Sequence, residues 1–172
     1  MQKIILVGYM AVGKTTIAQL LSEKTTIEWT DLDKLIENEA RLSISEIFKV
    51  KGEIYFRKLE HKLFKKSIES NTNLIISTGG GTPCYAENHL MLKGENILSI
   101  YLKASIETVF ERLKVAKQQR PLIANQSDEA LKEFIAKHLF ERSFFYNQAT
   151  HTISVDAKTP EVIVQEISDL LN

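Results

Sequence analysis

The chain contains a single cysteine, Cys84, among its 172 residues. One cysteine excludes an internal disulfide, and we expect the protein to work in the reducing cytoplasm. The four histidines show none of the spacings of metal-binding motifs, so we predict no structural zinc site. No histidine base can be identified for Cys84, and we predict that it is a passive thiol.

The chain also lacks an excess of either charge. Lysine plus arginine number 22 and aspartate plus glutamate number 22, so the net charge at neutral pH is zero. This balance gives no indication of a nucleic-acid partner. No apolar run reaches the roughly 20 residues of a membrane span, and the start of the chain leads directly into a predicted strand, so we expect neither membrane association nor a signal peptide. The length is typical of one domain, residues 1–172.

A glycine-bounded loop near the start of the chain carries the strongest functional signal. Gly8 and Gly13 are separated by four residues and followed by Lys14 and Thr15, which is the spacing of a nucleotide phosphate-binding loop. Gly8 lets the chain leave the apolar run 4–7, and Gly13 allows close approach of the backbone to an anion. We predict that the chain binds a nucleoside triphosphate, with Lys14 on the outer phosphates and Thr15 on Mg²⁺. The alternative is a turn between strand and helix that has no ligand.

Apolar runs and amphipathic segments alternate along the whole chain. The runs predict five strands, at residues 4–7, 27–31, 74–78, 97–102 and 152–155. Helical periodicity predicts helices at about 14–23, 34–41, 43–50, 53–69, 105–114, 127–145 and from 160 onward. This alternation indicates an α/β fold of three layers, with a five-stranded parallel sheet between helices.

Two aspartates follow the second predicted strand. Asp31 and Asp33 occupy alternate positions and therefore lie on one side of an extended chain. Ligands of parallel α/β sheets bind at the carboxyl ends of the strands, so we expect both carboxylates beside the phosphate loop. The alternative reading of Asp33 is that it only caps the helix 34–41.

Two further residues of opposite charge stand three apart on the predicted helix 53–69. Arg57 and Glu60 share one face of this helix. Such spacing is most often a solvated ion pair, and spacing alone favours that reading.

Two other segments are unusual in composition. The glycines 79–81 follow the third predicted strand, where they favour close approach of a ligand to the backbone over a flexible turn. The polar, cationic stretch 114–125 has no clear periodicity and contains Arg120 directly before a proline. This composition is typical either of a mobile lid or of an ordinary surface loop.

With these residues together, the chain resembles the shikimate kinase family nearly from end to end. The phosphate loop alone would fit many unrelated proteins. The discriminating segments are Trp29-Thr-Asp-Leu-Asp, residues 43–60 ending in Phe-Arg-Lys-Leu-Glu, Ser77-Thr-Gly-Gly-Gly, Arg120-Pro-Leu, and Arg142 with Tyr146 behind it. The resemblance implies a P-loop fold of the nucleoside monophosphate kinase type. It also implies substrate-binding helices at about 33–69 and a lid at about 114–125.

The resemblance assigns a role to each candidate site residue. The nucleotide-binding residues would be Gly8, Ala11, Val12, Gly13, Lys14, Thr15, Thr16, Arg112 and Arg120. The substrate-binding residues would be Asp33, Arg57, Glu60, Gly79, Gly80, Gly81 and Arg142. The metal-binding residues would be Thr15 and, through water, Asp31 and Ser77. The catalytic residues would be Lys14, Asp33 and Arg120.

The reaction implied by the resemblance is phosphorylation of the 3-hydroxyl of shikimate by Mg-ATP, a step toward aromatic amino acids through chorismate. Asp33 would help to deprotonate the attacking hydroxyl, and two guanidinium groups, those of Arg57 and Arg142, would hold the substrate carboxylate. Arg120 would neutralise charge on the transferred group after the lid closes. The resemblance also implies a monomer.

Three residues depart from the family pattern. Ala11 stands where the family usually has another glycine, Trp29 replaces the usual phenylalanine, and Arg112 is displaced from the usual position of an arginine that stacks on adenine. Two other functions stay open at this point. One is another small-metabolite kinase, such as a gluconate kinase. The other is a nucleotide-dependent switch, although the chain has no Asn-Lys-x-Asp motif for reading guanine.

Overall fold

The structure, a computed structural model, describes residues 2–116 and 127–171. Within these residues five strands form one parallel sheet: β1 Lys3–Val7, β2 Trp29–Asp31, β3 Leu74–Ser77, β4 Ile97–Lys103 and β5 His151–Ser154. The strand order is β2-β3-β1-β4-β5, and every pairing is parallel. The predicted five-stranded parallel sheet is therefore confirmed.

Helices connect the strands and cover the sheet, as the alternation of the sequence predicts. Those of the described part are α1 Lys14–Thr25, α2 Leu32–Ala40, α3 Ile44–Val50, α4 Glu53–Ile68, α5 Ile106–Ala116, α6 Asp128–Tyr146 and α7 Pro160–Asp169. Two 3₁₀ segments, Thr82–Cys84 and Asn88–Leu92, lie between β3 and β4. Helices α1 and α7 contact each other, as do α2 and α4, and α5 and α6. No helix in the described ranges combines the length and apolar character needed to cross a bilayer.

Strand β1 is the centre of the core. Its residues Ile4, Ile5, Leu6 and Val7 are completely buried. A run without polar alternation is what a strand needs when helices cover both faces of its sheet. The position of β1 between β3 and β4 brings the loop that follows it to the middle of the carboxyl edge of the sheet.

All five predicted strands and all seven predicted helices are present, with differences at their ends. Helix α2 begins at Leu32, two residues earlier than predicted, because Asp31 supplies its N-cap. Helix α3 starts after a capping box in which the Ser43 and Glu46 side chains each accept from the other residue's backbone N–H. Helix α5 continues to Ala116, so residues 114–116 of the predicted lid are helical.

Candidate active site

The loop between β1 and α1 folds around the side chain of Lys14. Its ammonium group donates hydrogen bonds to the carbonyl oxygens of Gly8, at 2.8 Å, and Tyr9, at 2.9 Å. Gly8 has a φ of 144°, and a Cβ there would lie 2.6 Å from the carbonyl oxygen of Leu102. Gly13, with a φ of 100°, immediately precedes α1. This arrangement places a cation and a helix N-terminus together, as a phosphate site requires.

Ala11 adopts a backbone conformation that favours glycine. Its φ is 64°, in the left-handed region, where an L-residue is disfavoured by about 1–2 kcal/mol. The carbonyl oxygens of Ala11 and Val12 both accept hydrogen bonds from Nη1 of Arg112, at 3.2 and 3.1 Å. Arg112 therefore lies against the phosphate loop from α5, and its role toward adenine stays a prediction.

Three oxygen-bearing side chains meet where β2 and β3 end. Thr15 donates a hydrogen bond to Oδ2 of Asp31 at 2.7 Å, and Oγ of Ser77 lies 3.5 Å from the same oxygen and 3.4 Å from Oγ1 of Thr15. The register explains this meeting, because Asp31 is the partner of Ser77 across the two strands. Magnesium prefers hard oxygen ligands and keeps several water and phosphate ligands, so this donor set suits it. Across residues 2–116 and 127–171, His, Cys, Asp and Glu form no cluster that could hold a metal ion.

The two aspartates at the junction of β2 and α2 make different contacts. Oδ1 of Asp31 accepts hydrogen bonds from the backbone N–H groups of Asp33, at 3.0 Å, and Lys34, at 3.3 Å. Asp31 is thus the N-cap of α2, and it has the extended backbone that a cap needs. The alternative reading of Asp33 as the helix cap is wrong, since Asp33 lies in the first turn of the helix.

The carboxyl group of Asp33 is half-buried beside the glycine run. A Cβ on Gly79 would lie 2.9 Å from Oδ1 of Asp33. Burial, and to a smaller extent the negative charges of Asp31 and Glu60, raise the pKa of Asp33 from 3.8 to about 6. The ammonium group of Lys14 acts in the opposite direction. A carboxylate with a raised pKa in a cavity is suited to accept a proton from a substrate hydroxyl.

Arg57 and Glu60 form a pair that water does not surround. Nη1 of Arg57 donates to Oε2 of Glu60 at 2.9 Å, and the Glu60 side chain is 1% exposed. The expectation of a solvated pair is therefore wrong, because α4 turns this face toward the protein. The Arg57 guanidinium also lies over the ring of Tyr85, 3.7 Å from its centroid. A Cβ on Gly81 would be 3.1 Å from Nη2 of Arg57, so the guanidinium faces the glycine run.

A second guanidinium reaches the same glycines from α6. A Cβ on Gly80 would lie 3.7 Å from Nη1 of Arg142. One turn later, the hydroxyl of Tyr146 donates to the carbonyl oxygen of Gly80 at 2.5 Å. These contacts hold the glycine run between α4 and α6, which favours close approach of a ligand over a flexible turn.

A cavity of about 290 Å³ lies between the phosphate loop and the start of the glycine run. Its walls are the phosphate loop, the aspartates 31 and 33, and residues 78–80. The thiol of Cys84 lies nearby, and burial raises its pKa to about 11, in keeping with a passive thiol. Arg120 and residues 117–125 of the predicted lid lie outside the described residues.

Comparison with known proteins identifies the family of this chain. A family model described as shikimate kinase matches residues 10–172. The shikimate kinase of Flavobacterium johnsoniae is 58% identical over 171 residues, which cover 99% of each chain. That of Flavobacterium psychrophilum is 52% identical, again over 99% of each chain. The chain belongs to the shikimate kinase family.

Solved shikimate kinases have folds similar to that of this chain. The Bacteroides thetaiotaomicron enzyme has a TM-score of 0.90 at 34% identity and covers 99% of this chain and 98% of its own. The Acinetobacter baumannii enzyme, solved in complex with shikimate, has a TM-score of 0.86 at 29% identity, over 99% of this chain and 93% of its own. A deoxyadenosine kinase of M. mycoides, at 18% identity and a TM-score of 0.63, shows the shared P-loop fold alone. The predicted family and fold, and the prediction of a phosphotransferase with an alcohol acceptor, are confirmed.

For this shikimate kinase family member, the sequence reasoning missed the aromatic residues around the two guanidinium groups. Tyr85 stacks on Arg57, and the Arg142 guanidinium lies 5.5 Å from the centroid of the Tyr9 ring. Tyr9 is completely buried and sits inside the phosphate loop, at a position that the loop pattern leaves unspecified. Aromatic residues in loops have no periodicity, so no sequence signal could have assigned these contacts.

Proposed function

We propose that the cavity at the carboxyl edge of the sheet binds Mg-ATP and shikimate together and transfers the γ-phosphoryl group of ATP to the 3-hydroxyl of shikimate. One observation carries this proposal. The ammonium of Lys14, the carboxyl of Asp33 and the guanidinium of Arg57 all approach the run 79–81 or the phosphate loop beside it. This reaction needs three groups: a cation that binds the phosphates, a base that accepts the proton of the hydroxyl, and a guanidinium group that binds the carboxylate.

The nucleotide end of the site is the phosphate loop. The backbone N–H groups of residues 8–16 would surround the phosphates, and Lys14 would exchange its contacts with loop carbonyls for contacts with the β- and γ-phosphates. Thr15 would hold Mg²⁺ directly, with Asp31 and Ser77 binding its water ligands. When bound, Mg²⁺ supplies charge neutralisation at the phosphates.

The acceptor end of the site is formed by the glycine run and the groups around it. Arg57 and Arg142 would hold the shikimate carboxylate, because a guanidinium fork matches that planar anion. Glu60 fixes the orientation of Arg57 through their 2.9 Å hydrogen bond. The backbone N–H groups of the run would contact substrate oxygens at close range, and Asp33 would accept the proton of the attacking hydroxyl.

Further features of the proposal lie outside what the structure describes. Arg120 would neutralise the transferred phosphoryl group, carried by a lid at about 114–125 that also excludes water. We expect the chain to act as a monomer in the cytoplasm, with ATP and shikimate as its small-molecule partners. The zero net charge supports the expectation that nucleic acid is not a partner.

Release of ADP from Mg-ATP tests the proposal, measured without acceptor and with shikimate, gluconate or AMP. We expect strong stimulation by shikimate alone. If gluconate or AMP stimulates release and shikimate does not, the acceptor end of the site has been assigned wrongly. If no acceptor stimulates release although ATP binds tightly, the result would contradict the proposal and favour a nucleotide-dependent switch.

A further inference from the structure

A continuous line of hydrogen bonds leads from the side of α4 to the guanidinium of Arg57. Nδ1 of His61 lies 2.7 Å from Oδ1 of Asn88. The amide of Asn88 donates to the carbonyl oxygen of Thr82 at 2.9 Å. The hydroxyl of Thr82 donates to Oε1 of Glu60 at 2.7 Å, and the other oxygen of Glu60 accepts from Arg57 at 2.9 Å. The line joins three residues of α4, Arg57, Glu60 and His61, to one residue of each 3₁₀ segment.

The middle of this line is inaccessible to water. Asn88 and Thr82 are completely buried, and Glu60 is 1% exposed. A buried polar group that loses its partner has no water to replace it, so each bond constrains the next. The direction of the bonds is also determined. Since the Asn88 nitrogen donates to a carbonyl, its oxygen must accept, and Nδ1 of His61 carries the hydrogen.

The line also borders the reacting end of the site. A Cβ on Gly79 would lie 3.1 Å from Oγ1 of Thr82, 3.4 Å from Oε1 of Glu60 and 2.9 Å from Oδ1 of Asp33. The Thr82 hydroxyl and the two carboxylates therefore surround the same side of Gly79. A shift of this hydroxyl would move Glu60, and with it the guanidinium that Glu60 holds.

We propose that Thr82, Asn88 and His61 are positioning residues for the substrate carboxylate, acting through Glu60 on Arg57. The inference rests on the proposed function, in which Arg57 binds that carboxylate. An arginine side chain has several rotatable bonds, and a guanidinium fixed before binding loses less entropy when it meets its anion. Tyr85 fixes the plane of the guanidinium from one face, and Glu60 fixes its rotation within that plane.

The pair Thr82→Val and Thr82→Ser tests the central link. Valine has the shape of threonine but cannot donate to Glu60, whereas serine keeps the hydroxyl. We expect Thr82→Val to raise the KM for shikimate roughly tenfold and to leave the KM for ATP within about twofold. Thr82→Ser should restore most of the shikimate affinity. Equal changes in both KM values, or an unchanged KM for shikimate in a folded Thr82→Val protein, would overturn the inference.

A second pair tests the outer end of the line, where His61 is only partly buried and the core is not disturbed. His61→Phe keeps a ring and removes the Nδ1 hydrogen, and His61→Asn keeps a donor near the same place. We expect a rise of about threefold in the KM for shikimate for the phenylalanine variant and recovery for the asparagine variant. If the two variants have the same KM for shikimate, His61 has no positioning role.

Combination with Arg57→Lys separates this inference from the proposed function. If the line acts through Arg57, Thr82→Val should change the KM for shikimate by less than about twofold in the Arg57→Lys background. Full additivity of the two changes would overturn the inference. If the wild-type chain does not phosphorylate shikimate, the proposed function fails first. If it does, and Arg57→Lys weakens shikimate binding while Thr82→Val does not, only the positioning inference fails.

Discussion

Oδ1 of Asp31 accepts a hydrogen bond from the backbone N–H of Asp33 at 3.0 Å. Its other oxygen accepts from Thr15 in the phosphate loop. A single carboxylate therefore connects the start of α2 to the proposed magnesium site. Because Asp31 supplies the cap, the Asp33 carboxyl is not needed for it and lies beside Gly79. In the proposed function, the two acidic residues of this short motif would serve opposite ends of the reaction.

Replacement of the proposed base is the first prediction. Asp33→Asn should lower kcat by about 10²–10⁴-fold, because an amide cannot accept the proton of the attacking hydroxyl. The Kd for ATP should stay within about twofold, since Asp33 lies at the acceptor end of the cavity. Steady-state turnover and calorimetric titration with nucleotide check the two parts. Glu37→Gln, one turn further along α2, is the matched control and should keep full turnover. Near-wild-type turnover of Asp33→Asn would remove its catalytic role.

The pH dependence of catalysis follows from the raised pKa of Asp33, about 6. In the proposed function the reacting form of Asp33 is the carboxylate, so activity would require this group to have lost its proton. We expect kcat/KM for shikimate to be level above pH 7 and to fall about tenfold per pH unit well below pH 6. Initial rates from pH 5 to 8 at saturating Mg-ATP measure this profile. A level profile down to pH 5 would show that Asp33 does not act as a base with a pKa of about 6.

Substitution of Arg57 tests the carboxylate site. Arg57→Lys keeps the positive charge but loses the planar guanidinium group that can donate two parallel hydrogen bonds to a carboxylate. This loss should weaken shikimate binding by about 1.5–3 kcal/mol. The KM for shikimate should therefore rise roughly 10- to 150-fold, while the KM for ATP changes little. Lys58→Ala is the matched control, because it removes a positive charge from the next residue of α4 and should leave both constants unchanged. Equal effects of Arg57→Lys on both substrates would contradict the assignment.

The strained residue of the phosphate loop gives a stability prediction. Ala11→Gly should raise the free energy of unfolding by up to about 1 kcal/mol, because glycine adopts a φ of 64° without strain but loses more entropy on folding. Chemical denaturation measures the change. Ala157, with a φ of 55° in the turn before α7, is the matched control. Both glycine variants should be stabilised, and only Ala11→Gly should alter the Kd for ATP. A lower free energy of unfolding for Ala11→Gly would contradict the inference that the backbone of Ala11 is strained.

Much of the fold was predictable because it depends on short stretches of sequence. The apolar run of β1 predicts a strand buried on both faces, and residues 4–7 are completely buried. The spacing Gly8, Gly13, Lys14 predicts a phosphate loop, and the ammonium of Lys14 lies inside that loop. Parallel strand order then brings Asp31 beside Ser77, as an argument from strand ends predicts.

The parts that were not predictable depend on contacts distant in sequence. Spacing cannot distinguish a buried Arg57–Glu60 pair from a solvated one, because the difference lies in what packs on α4. Thr82 and Asn88 come from loops and meet Glu60 only in the folded chain. The sequence offers Asp33 as a cap for a helix that begins at residue 34, and composition cannot distinguish it from Asp31, because both are good cap residues. The hydrogen bonds that Asp31 accepts from the backbone N–H groups of Asp33 and Lys34, together with its extended backbone, identify it as the cap.

The identity of the product tests the central claim most directly. The chain should be incubated with Mg-ATP and shikimate, and the product examined by phosphorus–proton correlation NMR. We predict one phosphate ester, with its phosphorus coupled to the ring proton on the carbon that carries the 3-hydroxyl. Two results would contradict the claim that this site transfers the γ-phosphoryl group of ATP to the 3-hydroxyl of shikimate. One is a phosphorus coupled to another ring proton, and the other is formation of ADP and free phosphate without an ester.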